Sequence, residues 1–243
     1  MTGTLTTVGP ASAAAFALAW LSAVARFGGG VLLLPVFTGL FGLRAAVPML
    51  TLTQLASNGS RAWLNRGELR RGIIGRFAAG AVPCAVAGGL LLAHAPLAGL
   101  QRLLGVFLLV TVAWRRLRPR LRPPGPRAFT AVGAASGLGS ALLGSVGPLT
   151  APFFLAAGLT RSAYIGTEAA CALLMHVTKL VVYGTGTLLT GQVLLLGLVL
   201  TPATLAGAWA GRATLGRLSD RLFVLLVEIG LVAAGMLLIL LPR

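Results

Sequence analysis

The chain has 243 residues, 57% of them hydrophobic and only 10% charged, with a mean hydropathy of +0.93. No soluble domain can hide so large an apolar fraction, so the sequence is that of an integral membrane protein. Apolar segments fill nearly the whole length and leave no room for a soluble catalytic or nucleic-acid-binding domain, so the net charge of +16 is read as topology.

The first ten residues carry no basic side chain, so the charged region of a cleavable signal peptide is missing and the run at 16–27 is expected to stay in the mature protein. An apolar segment at 11–43 contains Arg26-Phe27-Gly28-Gly29-Gly30 and then Pro35. Spans follow at 46–64, 72–93 and 97–114, and a basic linker fills 115–127. The second half opens with a long segment at 128–159, broken at Gly144-Ser145-Val146-Gly147-Pro148, and continues with spans at 162–183, 193–211 and 222–241. Cys84 and Cys171 lie inside apolar spans and are read as packing residues.

The two halves resemble each other. A shift of 117 positions matches Gly30 to Gly147, Pro35 to Pro152, Phe37 to Phe154 and Arg44 to Arg161. A shift of 119 lays Pro83 on Pro202 and Gly88 on Gly207. A helix broken at the same place in both halves of a membrane protein points to a transport site.

Lys and Arg in short loops mark the cytoplasmic side. Arg61, Arg66, Arg70, Arg71 and Arg76 surround one loop, six arginines fill the stretch 115–127, and Arg212, Arg217 and Arg221 flank a third. The loops at 94–96 and 184–192 carry no Lys or Arg. With the first three inside and the last two outside, the spans 46–64 and 162–183 run in opposite directions. The segment 128–159 must then start and finish inside, as a hairpin. The expected fold is all-α: a polytopic membrane protein of two inverted repeats, 1–114 and 128–243, each with one broken-helix hairpin (11–43 and 128–159) and three transmembrane helices. By the same count the N-terminus is outside. Eight plain crossings with parallel halves would place the arginines at 212–221 outside, against the charge rule.

A helix that begins inside the membrane presents amide donors without partners and the positive end of its dipole, and both attract an anion. Glycines let an oxyanion approach the backbone, and a proline near the first helical turn costs little there. The candidate anion-binding residues are therefore Gly28, Gly29 and Gly30 in one half and Ser145, Val146 and Gly147 in the other. The plainer reading is that such glycines let helices pack closely; the recurrence of the break, with proline each time, favours the site.

Polar side chains inside spans are costly unless paired or facing a cavity. Gln54 and Asn58 share one helical face, and Thr167, Glu168, His176 and Lys179 lie in the span after the second break. Glu168 is a candidate proton carrier or a structural ion-pair partner. His176 suits proton traffic or a packed, hydrogen-bonded place. Lys179 contacts substrate, carries a proton, or snorkels to the outer surface. Arg26 is an anion contact or a residue that binds free carbonyls at the end of the first arm. Glu228 sits mid-span with no evident partner.

At these residues the chain resembles the TauE/SafE family of sulfite and organosulfonate exporters, also called the toluene sulfonate uptake permease family. The likeness runs through Phe27-Gly28-Gly29-Gly30 with Pro35, Arg66-Gly67-Glu68-Leu69, Ala87-Gly88-Gly89, the stretch 137–152 and Gly166-Thr167. It implies a bacterial inner-membrane, multi-pass secondary carrier that exports a small sulfur-containing anion, sulfite or an organosulfonate, using the proton gradient. The chain departs from the family pattern in having Ser145-Val146 where a glycine run is usual, and Glu168 where a serine often follows Gly-Thr. The implied partners are the anion, protons and the lipid bilayer, with no nucleic acid, no cofactor and no metal; a homodimer is compatible with the sequence. Rival readings are a passive anion channel and a membrane subunit that needs a partner. A membrane enzyme is disfavoured, because neither a CxxC nor a HExxH pattern occurs.

Overall fold

The computed structural model describes residues 12–13, 15–17, 20, 30–94, 96–117, 124–144, 146–186, 188–214 and 220–240. Arg26, Gly28, Gly29 and Ser145 lie outside the described residues. Among those described, every regular element is helical. The helices are α1 (Gly30–Phe41), α2 (Leu43–Leu64), α3 (Arg71–His94), α4 (Leu97–Leu117), α5 (Pro126–Leu143), α6 (Gly147–Ala156), α7 (Arg161–Thr185), α8 (Gly191–Thr214) and α9 (Asp220–Leu240). Each of the expected spans is exceeded by a few residues at one end or at both. The helix expected to stop at 114 runs through Arg115 and Arg116, because arginine is a good helix former and its long stem tolerates an interfacial place.

Helices α3 and α7 are long and apolar enough, by length and composition, to cross a membrane. The outer surface is apolar around the bundle, with Leu90, Val110, Leu155, Val181, Leu198 and Leu237 all exposed. Trp63 and Trp209 are also exposed, and the Arg66 guanidinium stacks 4.5 Å from the centre of the Trp63 ring.

Two helices form the middle of the bundle. α2 buries Ala46, Val47, Met49, Leu50, Gln54 and Asn58, and α7 buries Gly166, Thr167, Cys171, Met175, His176 and Lys179. They run antiparallel: Gly166 meets Asn65, Glu168 meets Arg61, and Leu173 meets Gly59. α4 and α9 are likewise antiparallel, with Gly105 against Gly235 and Arg116 against Glu228. α3 packs on α7, where Gly89 meets Val182, and α8 packs on α2, where Gly197 meets Leu52.

The closest helix pair is α3 with α5, which run parallel. A Cβ on Gly133 would lie 2.1 Å from the Phe77 carbonyl oxygen, and one on Gly137 would lie 2.2 Å from that of Ala81. Only glycine lets the backbones meet at this distance, the small-residue packing that membrane helices use in place of a hydrophobic driving force. This pair holds the first arm of the broken segment against the bundle, and so sets where the break falls.

Candidate functional site

α5 ends at Leu143, and Gly144 takes φ +77, a conformation that glycine adopts without strain. The chain reverses and α6 starts at Gly147 with Val146 as its N-cap, whose apolar side chain accepts no capping bond, and proline in the first turn. Thr150 N–H donates to the Val146 carbonyl oxygen, so the amides of Gly147 and Leu149 lie ahead of the first intrahelical bond.

The carbonyl end of α5 is satisfied from α7. The Lys179 ammonium donates to Ser140 Oγ at 2.9 Å and to the carbonyl oxygens of Ser140 and Gly144, both at 3.2 Å; one turn on, Tyr183 donates to the Ala141 carbonyl oxygen at 2.7 Å. Lys179 is fully buried. Of its sequence readings, snorkelling is thus excluded: the cation caps a helix C-terminus, where the dipole is negative. The first half comes close to this break. Leu34, one turn from Gly30, would sit 3.3 Å from a Cβ placed on Gly144.

Beneath the break is a cavity of about 30 Å³, space for a water or two. Its polar lining comes from Gln54, Asn58, Ser140, Thr150, Glu168 and His176, together with Val146 and Gly147 at the start of α6. Phe77, Phe154, Cys171 and Met175 form an apolar wall. The cavity lies beside residues 168–176, midway along α7. His176 is buried, and its Nδ1 has no hydrogen-bond partner among the described residues. An unpartnered nitrogen on a polar cavity is a ready ligand contact.

Glu168 closes the end of the cavity toward the arginine-rich loop. Arg61 donates to its Oε2 at 2.9 Å, and the other guanidinium nitrogen donates to Asn58 Oδ1 at 3.2 Å. Both partners are largely screened from solvent, Glu168 more than Arg61. Thr167 is not in the cavity: its hydroxyl accepts from the Arg70 backbone N–H at 3.1 Å and ties α7 to the loop between α2 and α3. Glu228 has a partner after all, Arg116 on α4 at 2.9 Å.

The structure thus gathers six of the expected residues, Gln54, Asn58, Val146, Gly147, Glu168 and His176, at one cavity. Lys179 stands behind it, and Thr167 stands apart. Gly30 opens α1, one turn from the contact to the second break. Arg61 was read only as a topology marker, although it stands three and seven residues after Asn58 and Gln54 on the same helical stripe. Ser140 and Thr150 carried no signal beyond being hydroxyls near glycines.

Long helices with an apolar outer face and one interior meeting place for polar groups define an integral membrane protein that handles a polar solute. The chain matches the family model described as sulfite exporter TauE/SafE over residues 11–238, and it belongs to that family of membrane transporters. No curated protein and no solved structure matches it significantly.

Proposed function

We propose that the protein is a multi-pass carrier of the bacterial inner membrane that exports a small sulfur-containing anion, sulfite or an organosulfonate, with proton coupling through Glu168. The observation that carries this reading is the convergence on one buried cavity of the α6 N-terminus, the unpartnered His176 Nδ1 and the Glu168 carboxylate. The Gly147 and Leu149 amides and the helix dipole supply positive potential for an oxyanion. Gln54 and Asn58 supply further amide donors, and Glu168 is the titratable group beside them.

The inverted-repeat architecture is part of the same reading. It is supported by the antiparallel packing of α2 on α7 and of α4 on α9, the corresponding first and third spans of the two halves. The exchange of α3 on α7 for α8 on α2, and the mid-helix Pro83 and Pro202 of two 24-residue helices, agree with it. In this arrangement 1–114 and 128–243 rock against one another about a site near the midplane, and the basic linker lies in the cytoplasm. The first break, at Gly28, Gly29 and Gly30 with Arg26 before it, approaches the same site from the other half, an approach supported by the Leu34–Gly144 neighbourhood.

The test is sulfite flux into proteoliposomes of the purified chain, with and without an imposed pH gradient and with empty liposomes as baseline. Saturable flux that responds to the gradient is expected. Flux linear in concentration and indifferent to pH would make the protein a channel, and silence with every small oxyanion would sink the reading. Gly29→Leu should block flux and leave insertion intact; wild-type flux in that variant would mean that the first glycine run only packs.

A further inference from the structure

We infer that Arg61 is the cation to which the transported anion binds, and that Glu168 occupies it in the anion's place, so that substrate and Glu168 carboxylate compete for one guanidinium. This rests on the reading of the cavity as an oxyanion site. Arg61 stands on α2 directly behind the cavity lining and forks between two lining residues, 2.9 Å from Glu168 Oε2 and 3.2 Å from Asn58 Oδ1. A planar guanidinium donates to two oxygens of a carboxylate or of a sulfonate with similar geometry, so either anion can take the place of the other.

The Glu168 carboxylate lines the cavity and already holds the Arg61 guanidinium, so an oxyanion entering there meets a cation that is taken. Two negative charges a few Å apart in a water-poor interior also oppose one another strongly. Protonation of Glu168 removes its hold on Arg61 and its repulsion at once, so binding of the anion is linked to binding of one proton. The guanidinium then lies on one side of the anion, with the α6 amides and His176 Nδ1 on the other.

Charged and titratable groups face Glu168 from its own helix and from α2. α2 brings Arg61; α7 itself carries Tyr164, Cys171 and, across the cavity, His176. α5 and α6 bring only hydroxyls and apolar groups to the cavity. Arg66, Glu68 and Arg70 of the loop, and Arg71 and Arg76 of α3, are exposed. His176 is therefore the other titratable group on the cavity that the test must separate from Glu168.

The experiment measures methanesulfonate binding to the purified full chain in detergent, by calorimetry, at about pH 5 and about pH 8, since this strong-acid probe keeps its charge at both. Wild type should bind about tenfold tighter at the lower pH. Glu168→Gln should bind at both pH values as tightly as wild type does at the lower one, with Glu168→Ser as the alternative if the amide variant does not fold. Arg61→Gln should lose binding, and Arg61→Lys should recover part of it. His176→Asn should bind more weakly and keep the pH dependence. Neutral variants at 168 that bind no tighter than wild type at about pH 8, or a pH dependence that disappears with His176, would overturn the competition and leave the cavity as the anion site. Failure of wild type to bind methanesulfonate or sulfite at either pH would overturn both readings.

Discussion

The Lys179 ammonium and the Ser140 hydroxyl are 2.9 Å apart, and the same ammonium reaches the carbonyl oxygens of Ser140 and Gly144. These are acceptors that a helix end leaves without intrahelical donors, here inside an apolar bundle where no solvent replaces them. Lys179→Met should leave them bare and cost about 2–4 kcal/mol. Thermal unfolding in detergent should show the loss, and flux should fall with it because the break that starts α6 is no longer held. Lys179→Arg keeps a donor and should retain much of both. An unchanged melting temperature in Lys179→Met would remove the capping role.

The parallel contact of α3 with α5 makes a second prediction. Gly137→Ala places a Cβ where the Ala81 carbonyl oxygen lies 2.2 Å away, and backbone cannot yield as a flexible side chain can. The helices must part, at a cost of about 1–3 kcal/mol. Gly75→Ala on α3 has open space around it and should be neutral or slightly stabilising, since alanine is the better helix former. Size-exclusion profiles after a heating series compare the two, and a loss in Gly137→Ala no larger than in Gly75→Ala would mean that the contact does not set the effect.

These contacts show what a sequence can and cannot disclose. The break at Gly144 was legible because glycine and proline act locally on the backbone, and Gln54 and Asn58 were legible because a polar pair four apart in an apolar span has few places to go. Glu168 and Lys179 share a helical stripe and could be taken for partners. In the fold they serve different ends of α7, because each meets a group more than 30 residues away in the chain, Arg61 for one and Ser140 for the other. Glu228 had no evident partner for the same reason: Arg116 is one of a run of arginines, and only helix packing selects it. Tertiary pairing of charges depends on which helix faces which, and local pattern does not carry that information.

The two glutamates within the bundle should behave differently. Glu228 pairs with an arginine that is mostly exposed, and the pair joins α4 to α9 away from the cavity. Glu228→Gln should lower the melting temperature modestly, by about 1 kcal/mol in stability, and leave the pH profile of flux unchanged. Glu168→Gln should flatten that profile. A profile altered by Glu228→Gln, or indifferent to Glu168→Gln, would exchange or cancel their roles.

His176 offers the sharpest separation between packing and binding. Replacing a buried group that makes a hydrogen bond usually costs stability, whereas an apolar side chain of similar shape is tolerated where the polar atom had no partner. Nδ1 of His176 has none among the described residues, so His176→Phe should melt at or above the wild-type temperature. If that nitrogen meets the anion, the same variant should raise KM for sulfite about tenfold, the worth of one hydrogen bond to a charged ligand, with a smaller change in kcat. A fall in melting temperature with KM unchanged would make His176 a packing residue, and the anion would then be held from Arg61 and the α6 amides alone.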